Sequence, residues 1–252
     1  MSDSPLVSCR RISPNRTSPR RNSIDRVTIH MTVGQIDVVS LGEIFANPNR
    51  QASSNYGIGP DGRIAQYVEE RDRSWCSSSS ANDNRAVTIE TASDKTFPYA
   101  VTKAAYAALL DLATDICRRN GKSKLLWLGE KDRTLAYKPS PDEMVLTLHR
   151  WFASTECPGE YLLERQGEIA QIVTERLEEM NYEDFKKCMA RYEAEQKELP
   201  ADSWAVDSLD WAVENGIMEG DGHGNLMPMA NVTREQFATM LHRYADKLTG
   251  KA

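Results

Sequence analysis

The chain has 252 residues, 40% of them hydrophobic and 27% charged, and a formal net charge of −6. This suits a globular chain with one sizeable core and room for a small second one. It excludes the domain-wide basic excess that nucleic-acid binding uses, and no apolar run reaches the roughly 18 residues of a membrane span.

Residues 1–22 are rich in Ser, Pro and Arg and predict an extended basic arm. Arg10, Arg11, Arg16, Arg20, Arg21 and Arg26 face only Asp3 and Asp25 up to position 26. The arm reads as solvated, with attraction to an anionic surface as the alternative. The start, MSDSPLVSCRRISPNR, lacks a basic stretch followed by an apolar core, so no secretory signal is expected. That predicts synthesis in the cytoplasm, with action elsewhere only after release. Cys9, Cys76, Cys117, Cys157 and Cys188 are odd in number and scattered, which argues against a disulfide scaffold.

Residues 26–31 read as a strand that delivers His30 at its end. A short amphipathic segment follows at 35–48, with Ile36, Val39, Leu41, Ile44 and Phe45. Tyr56-Gly57-Ile58 and Ile64-Ala65-Gln66-Tyr67 flank the turn Pro60-Asp61-Gly62, the pattern of a hairpin. Ser77 to Asn84 is a polar loop, and Ala86-Val87-Thr88-Ile89-Glu90 is a strand ending on a carboxylate. Thr102 to Asn120 predicts a helix with Ala105, Leu109, Leu112, Ala113, Ile116 and Cys117 on one face. Residues 124–128 predict a strand, 129–146 a loop and 158–179 a helix. Strands alternating with helices predict an α/β fold, a central mixed sheet flanked by helices, over 23–180.

A charged linker helix is expected over 181–200, and a small all-helical module over 201–252. In that module Thr233-Arg234-Glu235-Gln236 is a capping box opening a final helix. Its stripe of Phe237, Met240, Leu241, Tyr244 and Leu248 is spaced as a buried face requires.

The chemistry concentrates in three residues. His149 and Cys157 lie eight positions apart, and His30 ends a strand. Two imidazoles and one thiolate make a three-ligand zinc set with one position open, the pattern of a catalytic site and of a zinc hydrolase. Pro158 is suited to the first position of a helix, which would put Cys157 at the N-cap, where the helix dipole favours a thiolate. Glu90, if its strand lies beside that of His30, supplies a carboxylate as general base. Asp221, His223 and Asn225 start like a calcium loop, but Leu226 and Val232 stand where that loop needs Gly and Glu.

These residues resemble the type 2 N-acetylmuramoyl-L-alanine amidases, the family of peptidoglycan recognition proteins and many phage endolysins. The matched pieces are Val27-Thr28-Ile29-His30, the hairpin from Ser53 to Gly62, Asn82 to Glu90, and His149 with Thr155-Glu156-Cys157-Pro158-Gly159. The resemblance implies one zinc ion held by His30, His149 and Cys157, and hydrolysis of the amide between MurNAc and L-alanine in peptidoglycan. It makes Glu90 the base and Thr155 a stabiliser of the transition state. Asn55, Tyr56 and Asn84 are the substrate contacts it suggests. Some members carry a Tyr where Ser54 stands and a Lys where Thr155 stands. A non-catalytic peptidoglycan-binding protein and a peptidase cutting within the stem peptide are the alternatives.

The C-terminal module resembles an S-layer homology motif, through Trp211-Ala212-Val213-Glu214-Asn215-Gly216-Ile217, Gly220-Asp221, Pro228 and Thr233-Arg234-Glu235-Gln236. That implies binding of a secondary cell-wall polymer, with Trp211 and Arg234 as contacts. A merely stabilising appendage, or association of chains into a homo-oligomer through this module, stays open.

Overall fold

Three neighbouring strands organise the fold. In the computed structural model, which describes residues 3–178, 182–221 and 225–250, these are β3 (Arg26–Met31), β7 (Ala86–Thr91) and β9 (Glu143–Thr147). Val27, Ile29, Val87, Ile89, Met144 and Leu146 join one large apolar core. Successive side chains of a strand point to opposite faces, so Thr28, His30, Thr88, Glu90 and Thr147 share the other face.

The remaining strands of this part are β1 (Cys9–Arg10), β2 (Arg16–Thr17), β4 (Tyr56–Ile58), β5 (Ile64–Gln66), β6 (Arg73–Ser74) and β8 (Lys124–Leu126). Among the described residues, a seven-stranded sheet runs β1-β5-β4-β7-β3-β9-β8. Only the β4–β5 hairpin in it is antiparallel, so the sheet is mixed, as expected.

The helices are α1 (Val38–Ala46), α2 (Ser80–Asp83), α3 (Lys103–Arg119), α4 (Lys131–Ala136), α5 (Glu160–Glu164) and α6 (Gln166–Glu178). Leu109, Leu112 and Ile116 of α3 and Ile169 and Val173 of α6 close the large core. Val38, Leu41 and Phe45 of α1 form a smaller cluster with Ala65 and Tyr67. The two ends of α3 fall where the sequence puts them: Thr102 caps it by accepting from Ala105 N–H, and Asn120 ends it.

Two expectations for this part of the chain need correction. Residues 3–22 are no free arm. β1 pairs with β5, β2 pairs with β6, and Ser4, Ser13 and Asn15 are buried. Arg20 is 8% exposed. Its guanidinium donates to the carbonyls of Glu70 (2.6 Å), Asp72 (3.0 Å), Asp83 (3.1 Å), Asn84 (3.1 Å) and Ala86 (3.0 Å). Composition counts such an arginine as solvated, but its rigid fork of five donors can satisfy a ring of backbone acceptors. Residues 129–146 are no simple loop either, since they hold α4 and most of β9. Met144-Val145-Leu146 is buried on both faces of the sheet, and such a strand shows no alternation to read.

The chain divides into two compact units, Met1–Glu179 and Met180–Ala252. The second carries α7 (Tyr182–Glu198), α8 (Val206–Glu214) and α9 (Arg234–Thr249). The capping box at the start of α9 is formed, Thr233 Oγ1 accepting from Gln236 N–H at 3.1 Å and Gln236 Oε1 from Thr233 N–H at 2.8 Å. Its stripe is not buried as the spacing suggested. Phe237, Leu241, Tyr244 and Leu248 are exposed, because spacing defines an apolar face without supplying a surface to cover it. His223, of the calcium-like spacing, lies outside the described residues; Asp221 accepts from Asn225 N–H and Nδ2.

Candidate active site

Parallel register sets His30 of β3 directly beside Glu90 of β7. On its other edge β3 pairs with β9, where Thr28 meets Thr147 and their hydroxyls lie 2.7 Å apart. β9 ends there, and the chain turns through a 3-10 turn at His149–Trp151. That turn carries the His149 ring to within 5.0 Å of the His30 ring, centroid to centroid.

Cys157 arrives from the segment that follows. Arg150 holds it there, donating to the carbonyls of Cys157 (3.3 Å) and Glu156 (2.7 Å), and Met31 N–H donates to the Cys157 sulfur. The expected helix cap is a correction: α5 starts at Glu160 with Gly159 as its N-cap. Gly159 N–H closes a turn onto Glu156 O at 2.8 Å. Gly159 has φ +82, backbone that glycine adopts readily and other residues do not. A Cβ there would also stand 2.7 Å from Met31 Sδ and 2.8 Å from Tyr99 Cβ. Cys157 therefore sits before the cap, where the helix dipole gives its thiolate little help.

The three residues expected to bind metal do converge. One ligand atom each of His30, His149 and Cys157 lie within 4.8 Å of one another, with Cys157 Sγ 3.4 Å from His30 Nδ1. Zinc bonds of about 2.1 Å to nitrogen and about 2.3 Å to sulfur, at a tetrahedral angle, separate two donors by about 3.6 Å. Burial, with the His149 ring adding to it, lowers the pKa of His30 to about 3, and burial lowers that of His149. Both rings are thus neutral bases, as ligation requires. Burial also pushes the Cys157 thiol well up, so a nearby cation is what would make it a thiolate. The residues fit zinc.

Glu90 lines the same hollow. Burial raises its pKa to about 8, against small lowering by Cys76 and Arg50, and its Oε2 is buried without a partner. A cavity of about 300 Å³ reaches the site, lined by Met31, Ile36, Leu41, Phe45, Arg50 and Trp75 along with Cys76, Glu90 and His149. Thr155 is half-buried. Its Oγ1 accepts from Cys157 N–H at 3.2 Å, which leaves the hydroxyl hydrogen free to donate elsewhere.

Of the substrate contacts expected at Asn55, Tyr56 and Asn84, the first two are not available for that role. Asn55 and Tyr56 are fully buried. Asn55 Oδ1 accepts from Thr88 N–H (3.1 Å), and its Nδ2 donates to the carbonyls of Val68 and Glu69. Tyr56 Oη donates to Glu70 Oε1 at 2.7 Å and accepts from Ser4 N–H. Asn84, the C-cap of α2, is half-buried; its Nδ2 donates to Ser80 O and its Oδ1 accepts from Arg21 N–H, which leaves one amide hydrogen and one lone pair for other partners. Small polar residues beside a hairpin read as surface until the strands on either side bury them.

The sequence reading missed two residues of the site. Cys76 Sγ lies 3.8 Å from Glu90 Oε1, and His30, Cys76 and Glu90 form a second set of donors within 4.8 Å. Ser78 Oγ lies 3.2 Å from His149 Nε2. Their one signal in the sequence is the Ser-rich run before Asn82-Asp83, which reads as loop. In the second unit Trp211 is 51% exposed, its ring edge-on to Tyr244 at 6.5 Å, and Arg234 is exposed at the start of α9.

Comparison with solved structures returns PlyL (14% identity, 66% of this chain and 96% of that one, TM-score 0.48) and the catalytic domain of XlyA (14%, 66% and 99%, 0.48). It also returns an endolysin N-acetylmuramoyl-L-alanine amidase from Clostridium intestinale (20%, 59% and 79%, 0.39). A comparison with curated proteins finds no match. Residues 200–238 match the S-layer homology domain, and residues 20–160, more than half of the chain, match the N-acetylmuramoyl-L-alanine amidase family. The chain belongs to that family of peptidoglycan amidases and carries an S-layer homology domain behind its amidase domain.

Proposed function

We propose that this protein is a zinc-dependent amidase that cleaves the bond between MurNAc and L-alanine, with His30, His149 and Cys157 holding the ion. The observation that carries the proposal is the register of β3 and β7, which sets a buried carboxylate next to a neutral His/His/Cys donor set. Zinc held there supplies Lewis acidity and positive charge, which polarise the amide carbonyl and favour ionised Glu90. Glu90 takes the proton from the attacking water and returns it to the departing alanine amine. The Thr155 hydroxyl donates to the oxyanion as the carbonyl carbon becomes tetrahedral.

The second unit is proposed to hold the enzyme on a secondary cell-wall polymer through Trp211 and Arg234. Its exposed apolar residues on α7, α8 and α9, among them Phe185, Val213 and Phe237, favour association of chains through the same unit. The role that joins these parts is that of a phage-type endolysin, made in the cytoplasm and acting on the wall after a separate factor breaches the membrane.

The test incubates the full chain with purified cell walls, with and without a zinc chelator, and identifies any new amino terminus. The expected result is new N-terminal L-alanine, lost with chelator and restored by zinc. A different amino terminus would move the scissile bond into the stem peptide. Sedimentation with the walls without release would make the chain a peptidoglycan-binding protein.

A further inference from the structure

The loop between β6 and α2 is anchored by two buried side chains, Asp83 and Asn82. Asp83 is 1% exposed, and its carboxylate accepts from Cys76 N–H (3.0 Å), Ser77 N–H (3.1 Å) and Ser77 Oγ (2.5 Å). On the far side, Ser79 caps α2 by accepting from Asn82 N–H at 3.2 Å. Asn82 Nδ2 in turn donates to Ser77 Oγ (3.3 Å) and to Thr28 Oγ1 (2.9 Å), tying the loop to the strand that carries His30.

Between these two anchors stands Ser78 with φ +61. A non-glycine residue holds left-handed backbone only where its surroundings over-determine it, and such strain gathers at functional sites. The anchors over-determine it here, and the side chain thereby aimed is the one that meets His149 Nε2 at 3.2 Å. Its neighbour in the same clamp, Cys76, meets Glu90 Oε1.

We propose that Ser78 is a positioning residue whose hydroxyl accepts the Nε2–H of His149 and so presents Nδ1 to the metal. His30 makes the same choice, since its Nδ1 is the nitrogen beside Cys157 Sγ. A ligating histidine is commonly fixed in tautomer and orientation by a partner on its other nitrogen. The inference rests on the reading of His30, His149 and Cys157 as metal ligands.

The test measures zinc affinity of the full chain by competition with a chromogenic chelator, and the melting temperature of the chelator-treated protein, for wild type, Ser78→Gly and Ser78→Ala. Glycine accepts the positive φ without strain, so Ser78→Gly should melt at or above the wild-type temperature. Loss of an outer-shell partner lowers metal affinity by about 10–100-fold, and both variants should show that loss. Affinity equal to wild type in Ser78→Gly overturns the proposal. So does a loss confined to Ser78→Ala, which would assign the effect to backbone strain and not to the hydroxyl. A wild type that binds no zinc overturns the metal-site reading itself, and this inference with it.

Discussion

Arg20 offers the sharpest test of how the N-terminal segment is held. Arg20→Leu removes the donor shared by the carbonyls of Glu70, Asp72, Asp83, Asn84 and Ala86. A hydrogen bond from a charged donor contributes about 1.5–3 kcal/mol, but five such terms do not add. Burying the guanidinium carries its own cost, visible in a pKa lowered by burial to about 10 against the pull of Glu70, Asp83 and Asp72. Breaking a buried charged network on one side typically costs about 3–5 kcal/mol. At about 2–4 °C per kcal/mol for a unit of this size, the melting temperature should fall by about 6–20 °C. Thermal unfolding followed by circular dichroism at pH 7 measures it. Lysine should not rescue, because one ammonium cannot span the ring of acceptors. A shift below about 2 °C would refute the reasoning and return residues 3–22 to the status of a loose arm.

Gly159→Ala should destabilise by at least about 1–2 kcal/mol from the left-handed backbone alone. The crowding against Met31 should disturb zinc affinity as well, and unchanged melting and affinity would contradict the close approach. Glu90→Gln should keep zinc and lose about 10²–10⁴-fold in hydrolysis, whereas Cys157→Ser should lose both; a fully active Cys157→Ser protein would sink the ligand assignment. Chelator-treated protein should show a stability plateau in pH. The unfolded chain takes up a proton at His30 below the ordinary imidazole value of 6.5 while the folded chain stays neutral down to about 3, so stability is lost on the acid side. Glu90 keeps its proton in the fold up to about 8, against 4.5 unfolded, so stability is lost on the alkaline side. The two effects oppose each other between 4.5 and 6.5. Urea unfolding across pH checks this, and Glu90→Gln should abolish the alkaline decline. Trp211→Ala and Arg234→Ala should weaken sedimentation with walls while leaving hydrolysis of soluble fragments intact; equal loss of both would remove the targeting role.

Much of the site was legible because ligand chemistry restricts residue type. His30, His149 and Cys157 stand out as neutral or anionic donors at strand ends and turns, and the structure gathers them. Glu90 was legible as the carboxylate ending an apolar strand. Asn55 and Tyr56 misled because a polar side chain looks the same in sequence whether its partner is solvent, a ligand or a buried backbone group.

By itself, the sequence determined the alternation of β3 and β7, the extent of the helix from Thr102 to Asn120, the cap at Thr233 and the zinc-type donor set, all local or compositional properties. The tertiary structure alone decided three things. The pairing of β3 with β7 sets Glu90 beside His30, and register between strands about sixty residues apart has no local signature. The insertion of β9 between β3 and β8 brings His149 to the site, and its unpatterned apolar run reads equally as loop or core. The Asp83 clamp aims Ser78 and Cys76 at His149 and Glu90, because a buried carboxylate organises whichever donors the fold brings to it, and sequence does not show which those are.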